Sequence, residues 1–272
     1  MEIEVLGPLT VRRFGESIVP NAGKPRQILA LLALRAGRVV PAPVLMEEIW
    51  GEDTPRSATT TLQTYILQLR RKIADALPPG ARESAKDVLT TSFGGYALVS
   101  DDVRTDAQEF HRLVAQGGSA LAAGDAGTAS AVLRLGLQLW QGDALTGVPV
   151  GRVLGLEVLG LEEARMRALE LRIEADLQLG RHADLVAELR VLAAQYPMNE
   201  TFSAQLMLAL YRSEGSWRAL DEFRRLRRTL ADELGVEPTP RLQRLHRAVL
   251  SGSAVLDHPD DRSAAGLDQL AG

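Results

Sequence analysis

Residues 56–76 read RSATTTLQTYILQLRRKIADA. Leu62, Ile66, Leu69 and Ile73 recur at steps of four, three and four, which stacks them on one side of an α-helix, and Ala58 extends that stripe toward the amino end. At about 100° per residue, the opposite side carries Ser57, Thr60, Thr64, Gln68 and Arg71, with Thr61, Arg70 and Lys72 on its flanks. This outer face has hydroxyls, an amide and guanidinium groups, no carboxylate before Asp75, and a basic end at Arg70-Arg71-Lys72. It suits a DNA major groove, where Gln and Arg match base edges and Thr meets a methyl group or a phosphate. A solvated helix whose basic end complements its own dipole would carry the same residues. The neighbouring elements decide between the two.

Upstream, Glu2–Val5, Leu9–Val11 and Ile18-Val19 alternate or run apolar around turns at Gly7-Pro8 and Gly15-Glu16, which predicts a small antiparallel sheet of three strands. A first helix starts at Lys24-Pro25, buries Ile28, Leu29, Leu32 and Ala33, and stops at Gly37. Val39-Val40 is a short extended piece, and a second helix from about Pro43 carries Leu45, Met46, Ile49 and Trp50. Gly51-Glu52-Asp53-Thr54-Pro55 is an acidic loop. Downstream of the quoted stretch, Val88–Thr91 and Tyr96–Val99 flank a turn at Ser92–Gly95 and predict a β-hairpin. Three helices followed by a hairpin make a winged helix, whose third helix is expected to enter the major groove.

From Thr105 onward strand signals almost vanish, and helices are predicted at 105–116, 125–140, 155–179, 182–195, 199–213, 216–234 and 238–250. Gly180 and Gly215 are 35 residues apart, as are Leu185 and Leu220, close to the tetratricopeptide period of about 34. The expected fold is therefore mainly α with a small β component. Residues 1–100 form a winged helix, 101–251 an all-α tetratricopeptide-like domain, and the small, polar stretch 252–272 a disordered tail.

Composition narrows the chemistry. A chain of 272 residues, 46% hydrophobic and 24% charged, can bury substantial cores, and with 4% aromatics those cores rest on Leu, Val and Ala. The absence of cysteine excludes disulfides, thiolate zinc sites and a cysteine nucleophile, and His111, His182, His246 and His258 have no ligand spacing. No stretch approaches the roughly 18 apolar residues of a membrane span, and the start MEIEV has no basic leader, so no membrane contact and a cytoplasmic, nucleoid-associated location are expected. Residues 1–99 hold twelve Lys and Arg against ten Asp and Glu; the remainder holds nineteen against twenty-five. A slightly basic amino third on an acidic remainder is the footprint of one nucleic-acid-binding module.

Enzyme patterns are missing. Gly94-Gly95 and Gly117-Gly118 build no Walker loop or dinucleotide fingerprint, and neither G-x-S-x-G nor H-E-x-x-H occurs. Glu162-Glu163 and Asp260-Asp261 read as solvated helix and tail positions. Neither catalysis nor a cofactor is expected. The binding candidates are Thr60, Thr64, Gln68 and Arg71 for direct readout, with Thr61, Arg70 and Lys72 beside them for phosphate or base. Lys24 and Arg26 at the start of the first helix, and Thr90, Thr91 and Tyr96 in the wing, are phosphate candidates. For each wing residue simple hairpin packing is the alternative, and Tyr65 lies at the edge of the core.

The succession LGPLTV (6–11), KPRQILALLALRAGRVVP (24–41), LMEEIWGEDTPRSATTTLQTYILQLRRKI (45–73), TSFGGYALV (91–99) and LWQGDALTGVP (139–149) resembles the Streptomyces antibiotic regulatory protein family. The likeness covers about residues 1–250, and Trp50 to Ile73 is its most specific part. It implies an OmpR-type winged helix joined to a bacterial transcriptional activation domain. It further implies an activator of secondary-metabolite gene clusters that binds direct repeats near promoters, as a dimer on double-stranded DNA, and recruits RNA polymerase. By position, the family's recognition helix falls on Arg56–Asp75, its transactivation loop on Gly51–Arg56 and its wing on Asp87–Val99. Glu52, Asp53 and Thr54 are then the polymerase contact, with the sigma subunit as the implied partner. OmpR-type proteins often place basic readers where this chain has Leu67 and Gln68, which shifts the expected base contacts to Thr64, Gln68, Arg70 and Arg71. Larger relatives add an ATPase and sensor repeats, so a chain of this length is either a small member or a fragment. Two rivals stand beside this reading: a repressor or response regulator with the same winged helix, and a tetratricopeptide-like scaffold whose winged helix binds protein.

Overall fold

The computed structural model describes residues 1–99, 104–253 and 256. The tail expected at 252–272 lies outside the described residues except for 252, 253 and 256. The fold is mainly helical, with a winged helix followed by an all-helical region. Two compact units form: residues 1–112 together with 136–166, and residues 113–135 together with 167 onward.

The first unit opens with β1 (Glu2–Glu4), β2 (Thr10–Arg13) and β3 (Glu16–Ser17). Helix α1 (Gly23–Leu34), strand β4 (Val40–Pro41) and helices α2 (Ala42–Trp50) and α3 (Ala58–Asp75) follow. A single turn, α4 (Ala85–Val88), leads into the hairpin β5 (Leu89–Ser92) and β6 (Gly95–Leu98), and then β7 (Arg104–Thr105). The apolar run of α1 leaves no polar side for water. Ile28 through Ala33 are all buried, not one stripe of them, because α2, α3 and β6 pack around the helix.

The amino-terminal sheet has four strands in the order β3-β2-β1-β7, where three were expected. The fourth pairs parallel to β1, Glu2 opposite Arg104 and Ile3 opposite Thr105, across some hundred residues of chain. Asp106 fastens this junction: its carboxylate accepts the Val5 and Leu6 amides, each at 2.9 Å. Burial pushes the Asp106 carboxyl above its ordinary pKa in spite of these bonds. The wing is also larger than a hairpin, since β4 joins it in the order β4-β6-β5. Gly95 permits this, because a Cβ there would lie 2.3 Å from the Val40 carbonyl oxygen.

Segment 136–166 packs with the first unit, and so the grouping by contacts departs from a division at residue 100. A buried carboxylate shows why. Glu48 of α2 accepts the Gln27 amide (2.6 Å) and the backbone N–H groups of Gly151 (2.7 Å) and Leu154 (2.8 Å), at the start of helix α7, which follows α5 (Asp106–Ala122) and α6 (Ala126–Gln138) and spans Arg152–Gln178. A buried acid is stable only where its oxygens are filled, and a helix amino end supplies unpaired donors. Phe110 meets Trp140 edge-on at 5.5 Å in the same region.

In the second unit, α8 (His182–Gln195), α9 (Glu200–Glu214), α10 (Ser216–Leu234) and α11 (Pro240–Ser251) pack each against the next. Helix α5 runs six residues beyond its expected end at 116. The Gly117-Gly118 pair does not break it. A Cβ on Gly117 would come within 2.4 Å of Leu133, so the glycine lets α5 approach α6 closely. Asp176, fully buried on α7, accepts the Ser130 hydroxyl (2.7 Å), Arg134 (2.5 Å), Arg181 (2.6 Å) and Arg172 (3.3 Å). Burial by itself raises the Asp176 carboxyl. The hydroxyl and the three guanidinium groups outweigh it and hold the pKa below the usual range.

Candidate nucleic-acid interface

Helix α3 buries Ala58, Leu62, Ile66, Leu69 and Ile73 and turns the rest outward. Thr60, Thr64, Gln68, Arg71 and Lys72 are exposed, and Thr61 is half-buried. The Thr64 hydroxyl donates to the Thr60 carbonyl at 3.0 Å, which leaves its methyl group and oxygen lone pairs for a ligand. Gln68, Arg71 and Lys72 have no hydrogen bond or ion pair among the described residues.

Arg70 is placed differently from its neighbours. Its Nε and Nη2 donate to the Leu89 carbonyl at 3.0 and 2.8 Å, and Nη2 also reaches the Thr91 hydroxyl at 2.8 Å. The side chain therefore ties α3 to the first strand of the wing. Thr90 donates weakly to the Ala97 carbonyl (3.4 Å), and Thr90 and Tyr96 are half-buried within the hairpin while Thr91 is exposed.

At the amino end of α1, Arg26 is a staple, with Nε, Nη1 and Nη2 donating to the carbonyls of Pro20 (3.0 Å), Gly147 (3.0 Å) and Asn21 (3.3 Å). Lys24 is exposed and sits 5.3 Å over the Trp50 ring, which in turn stacks on Tyr65 at 6.4 Å. In the loop before α3, Glu52, Asp53 and Thr54 are all exposed. The loop is shaped by Asp53 N–H to Trp50 carbonyl (3.1 Å) and Thr54 hydroxyl to Gly51 carbonyl (3.2 Å). Among the described residues neither acid has an ion pair.

Sequence reasoning passed over Thr59, Gln63 and Phe93 and set Leu67 aside as uncharged; all four are exposed. Leu67 falls at the middle of the outward arc between Thr60, Thr64 and Arg71, and it is 49% exposed. The same helical spacing that selected Thr64 pointed to it. Phe93, 98% exposed at the wing tip, had a turn signal but no signal of use. Among the described residues no three His, Asp or Glu gather as metal ligands, and no helix is long and apolar enough to cross a membrane.

Residues 16–98 match the family described as "Transcriptional regulatory protein, C terminal", and residues 105–250 match "Bacterial transcriptional activator domain". The chain is 50% identical over 269 residues to the regulatory protein DnrI of Streptomyces peucetius, covering 98% of this chain and 99% of that one. It is 37% identical to the transcriptional regulator RedD of Streptomyces coelicolor, over 95% of this chain and 73% of the relative. In three dimensions it is similar to Mycobacterium tuberculosis EmbR, solved in complex with a low-affinity phosphopeptide. The TM-score is 0.86 at 29% identity, over 100% of this chain and 69% of that one. With an OmpR-type winged helix followed by a bacterial transcriptional activator domain, the chain belongs to the Streptomyces antibiotic regulatory protein family of transcriptional activators.

Proposed function

We propose that this activator binds promoter DNA in a sequence-specific manner through α3, as a dimer on direct repeats, and recruits RNA polymerase to a secondary-metabolite gene cluster from within the cytoplasm. The observation that carries the reading is the asymmetry of α3. Its apolar stripe is consumed by packing, while Gln68, Arg71 and Lys72 are exposed and make no ion pair among the described residues. Gln68 and Arg71 are assigned to base edges, Thr60, Thr61, Thr64 and Leu67 to thymine methyl groups and nearby phosphates, and Lys72 to the backbone. Lys24, Thr90, Thr91 and Tyr96 are assigned to flanking phosphates; Arg26 and Arg70 keep the first helix and the wing in place around them.

The exposed acids Glu52 and Asp53, with Thr54, serve a basic protein surface, because carboxylates beside a phosphate backbone repel it. RNA polymerase, through its sigma subunit, is the partner assigned to them. In this division of labour residues 1–100 hold the DNA and 101–251 form the activation domain.

The test is selection of bound duplexes from a random pool with the full chain, followed by affinity measurements on the enriched sequence. Direct repeats should emerge, and affinity should fall steeply with salt as released counterions are lost. A pool that stays random, with salt-independent binding, would leave the winged helix as a protein-binding module.

A further inference from the structure

Within the second unit, side chains of α6, α7 and the start of α8 line a cavity of about 410 Å³, a size usual for small-molecule sites. Its most deeply buried lining group is Asp176, which gathers Arg134, Arg172 and Arg181. The three arginines are not equivalent. Arg172 is fully engaged, with one nitrogen on Asp176 and two on Glu188. Arg134 and Arg181 are pinned along one edge only. Arg134 places Nε on the Ser130 hydroxyl (3.3 Å) and Nη2 on Asp176 (2.5 Å). Arg181 uses Nη1 alone, on the same hydroxyl (3.2 Å) and the same carboxylate (2.6 Å). Arg134 Nη1 and Arg181 Nε and Nη2 have no partner among the described residues, and both side chains are about half exposed.

The wall supplied by α8 has the opposite sign. Asp184 and Glu188 are four residues apart and share one face of the helix, with the buried Leu185 beside them. Glu188 is held by Arg172, whereas Asp184 is exposed and has no bonded partner among the described residues. Three guanidinium groups therefore meet two carboxylates, Asp176 and Glu188, which leaves one positive charge in excess next to the unpaired Asp184. We propose that this cavity binds a small zwitterion of the α-amino-acid or dipeptide class, its carboxylate on Arg134 and Arg181, its ammonium on Asp184 and its apolar body over Leu185. A network built only to join helices would close on itself, and this one ends in free donors and a free acceptor that line the same space. Arginine edges that are already pinned lose little freedom on binding, and the planar fork matches a carboxylate. A bare anion would face repulsion from Asp184, and a bare cation repulsion from the arginines. The site belongs to the helical unit and does not depend on the DNA-binding reading of α3.

The test is calorimetric titration of the full chain, with melting followed in parallel. The probes are L-leucine, L-leucyl-L-leucine, the two halves 4-methylpentanoate and 3-methylbutylamine, and inorganic phosphate. At least one of the two zwitterions should bind at millimolar concentration or below and raise the melting temperature. Each half should bind about tenfold more weakly or worse, because it lacks one charge-assisted contact. Asp184→Asn breaks no bond of the fold, so its melting without probe should stay near wild type. It should weaken the zwitterion about tenfold and leave 4-methylpentanoate unchanged. Arg181→Gln should weaken both. Should that variant unfold, the Asp184→Asn comparison still decides. Absence of binding by both zwitterions overturns the proposal, as does an Asp184→Asn variant that binds them like the wild type. Phosphate or 4-methylpentanoate binding as tightly as the zwitterion also overturns it and leaves a simple anion site.

Discussion

The arginines of the second unit and those on the outward face of α3 have opposite surroundings. In the second unit Arg134, Arg172 and Arg181 converge on Asp176, Arg190 and Arg218 share Glu214, and Arg225 and Arg227 hold Glu222 and Glu237. On α3, Arg71 and Lys72 have no carboxylate partner among the described residues. A cation whose partner lies on a neighbouring helix is part of the fold, and its removal is read as lost stability. A cation on a neutral face, backed by a fully packed stripe, leaves stability to the stripe and is free to meet an external anion. The acidic total of the chain hides this difference, because the paired charges cancel and the unpaired ones do not.

The largest effect tests the paired side. Asp176→Ala should destabilise the helical unit by about 3–5 kcal/mol, since Arg134, Arg172 and Arg181 lose their shared buried carboxylate and Arg172 keeps only Glu188. Urea unfolding followed by circular dichroism measures it. A loss below about 1 kcal/mol would reduce the cluster to an ordinary surface network. Leu69→Ala should cost about 2–5 kcal/mol by leaving a cavity under α3, and DNA binding should fail through unfolding. A variant that melts normally and still cannot bind would mean Leu69 faces the duplex.

The unpaired side gives the opposite pattern. Gln68→Ala and Arg71→Ala should leave the melting temperature near wild type. Each should weaken the enriched site by about 1–3 kcal/mol, with a smaller loss on random duplex, especially for Gln68. Equal losses on both duplexes would remove the base-reading role and keep only charge. Arg70→Ala belongs between the two patterns. It breaks the tie to Leu89 and Thr91, so it should loosen the wing and weaken binding with little change in salt slope, unlike Arg71→Ala.

Where the signal was local and periodic, the sequence was legible. The stripe Ala58, Leu62, Ile66, Leu69 and Ile73 is buried as its spacing requires, and α8 and α10 begin and end where their glycine and proline punctuation places them. What stayed hidden depends on partners far away in the chain. β7 is two residues long and has no alternation to show. Glu48 carries no motif or spacing signal, and only Gln27 and the start of α7 make it a buried, filled acid. The outer face of α3 was legible as a set of candidates, but not the division of labour within it. Arg70 and Arg71 are adjacent and chemically identical, and only the position of the Leu89 carbonyl decides that one holds the wing and the other faces water.

The smallest effect concerns a basic group of the second unit that has solved its position by giving up its charge. His182, at the start of α8, is half-buried, and burial followed by the nearby Arg212 guanidinium pushes its pKa down to about 4. Its Nδ1 is buried without a hydrogen-bond partner. The helix amino end adds a third reason for neutrality, since its dipole disfavours a cation. A histidine depressed in the folded state binds its proton first in the unfolded chain. The stability linked to it is therefore complete above the ordinary value near 6.5 and is lost as pH falls toward about 4. The full shift would be worth several kcal/mol, but the ring is partly solvated, and screening reduces the expected contribution to about 1 kcal/mol. His246, also depressed by burial and by Arg224 and Arg227, acts in the same direction. Comparing His182→Gln with the wild type cancels its effect, along with that of Asp106. Urea unfolding at pH 7.5 and pH 5 should show the wild type losing about 1 kcal/mol more than the variant. Equal losses would mean that His182 is protonated within the fold, and that the second unit tolerates a histidine cation beside Arg212, as the α3 face tolerates Arg71 beside Lys72.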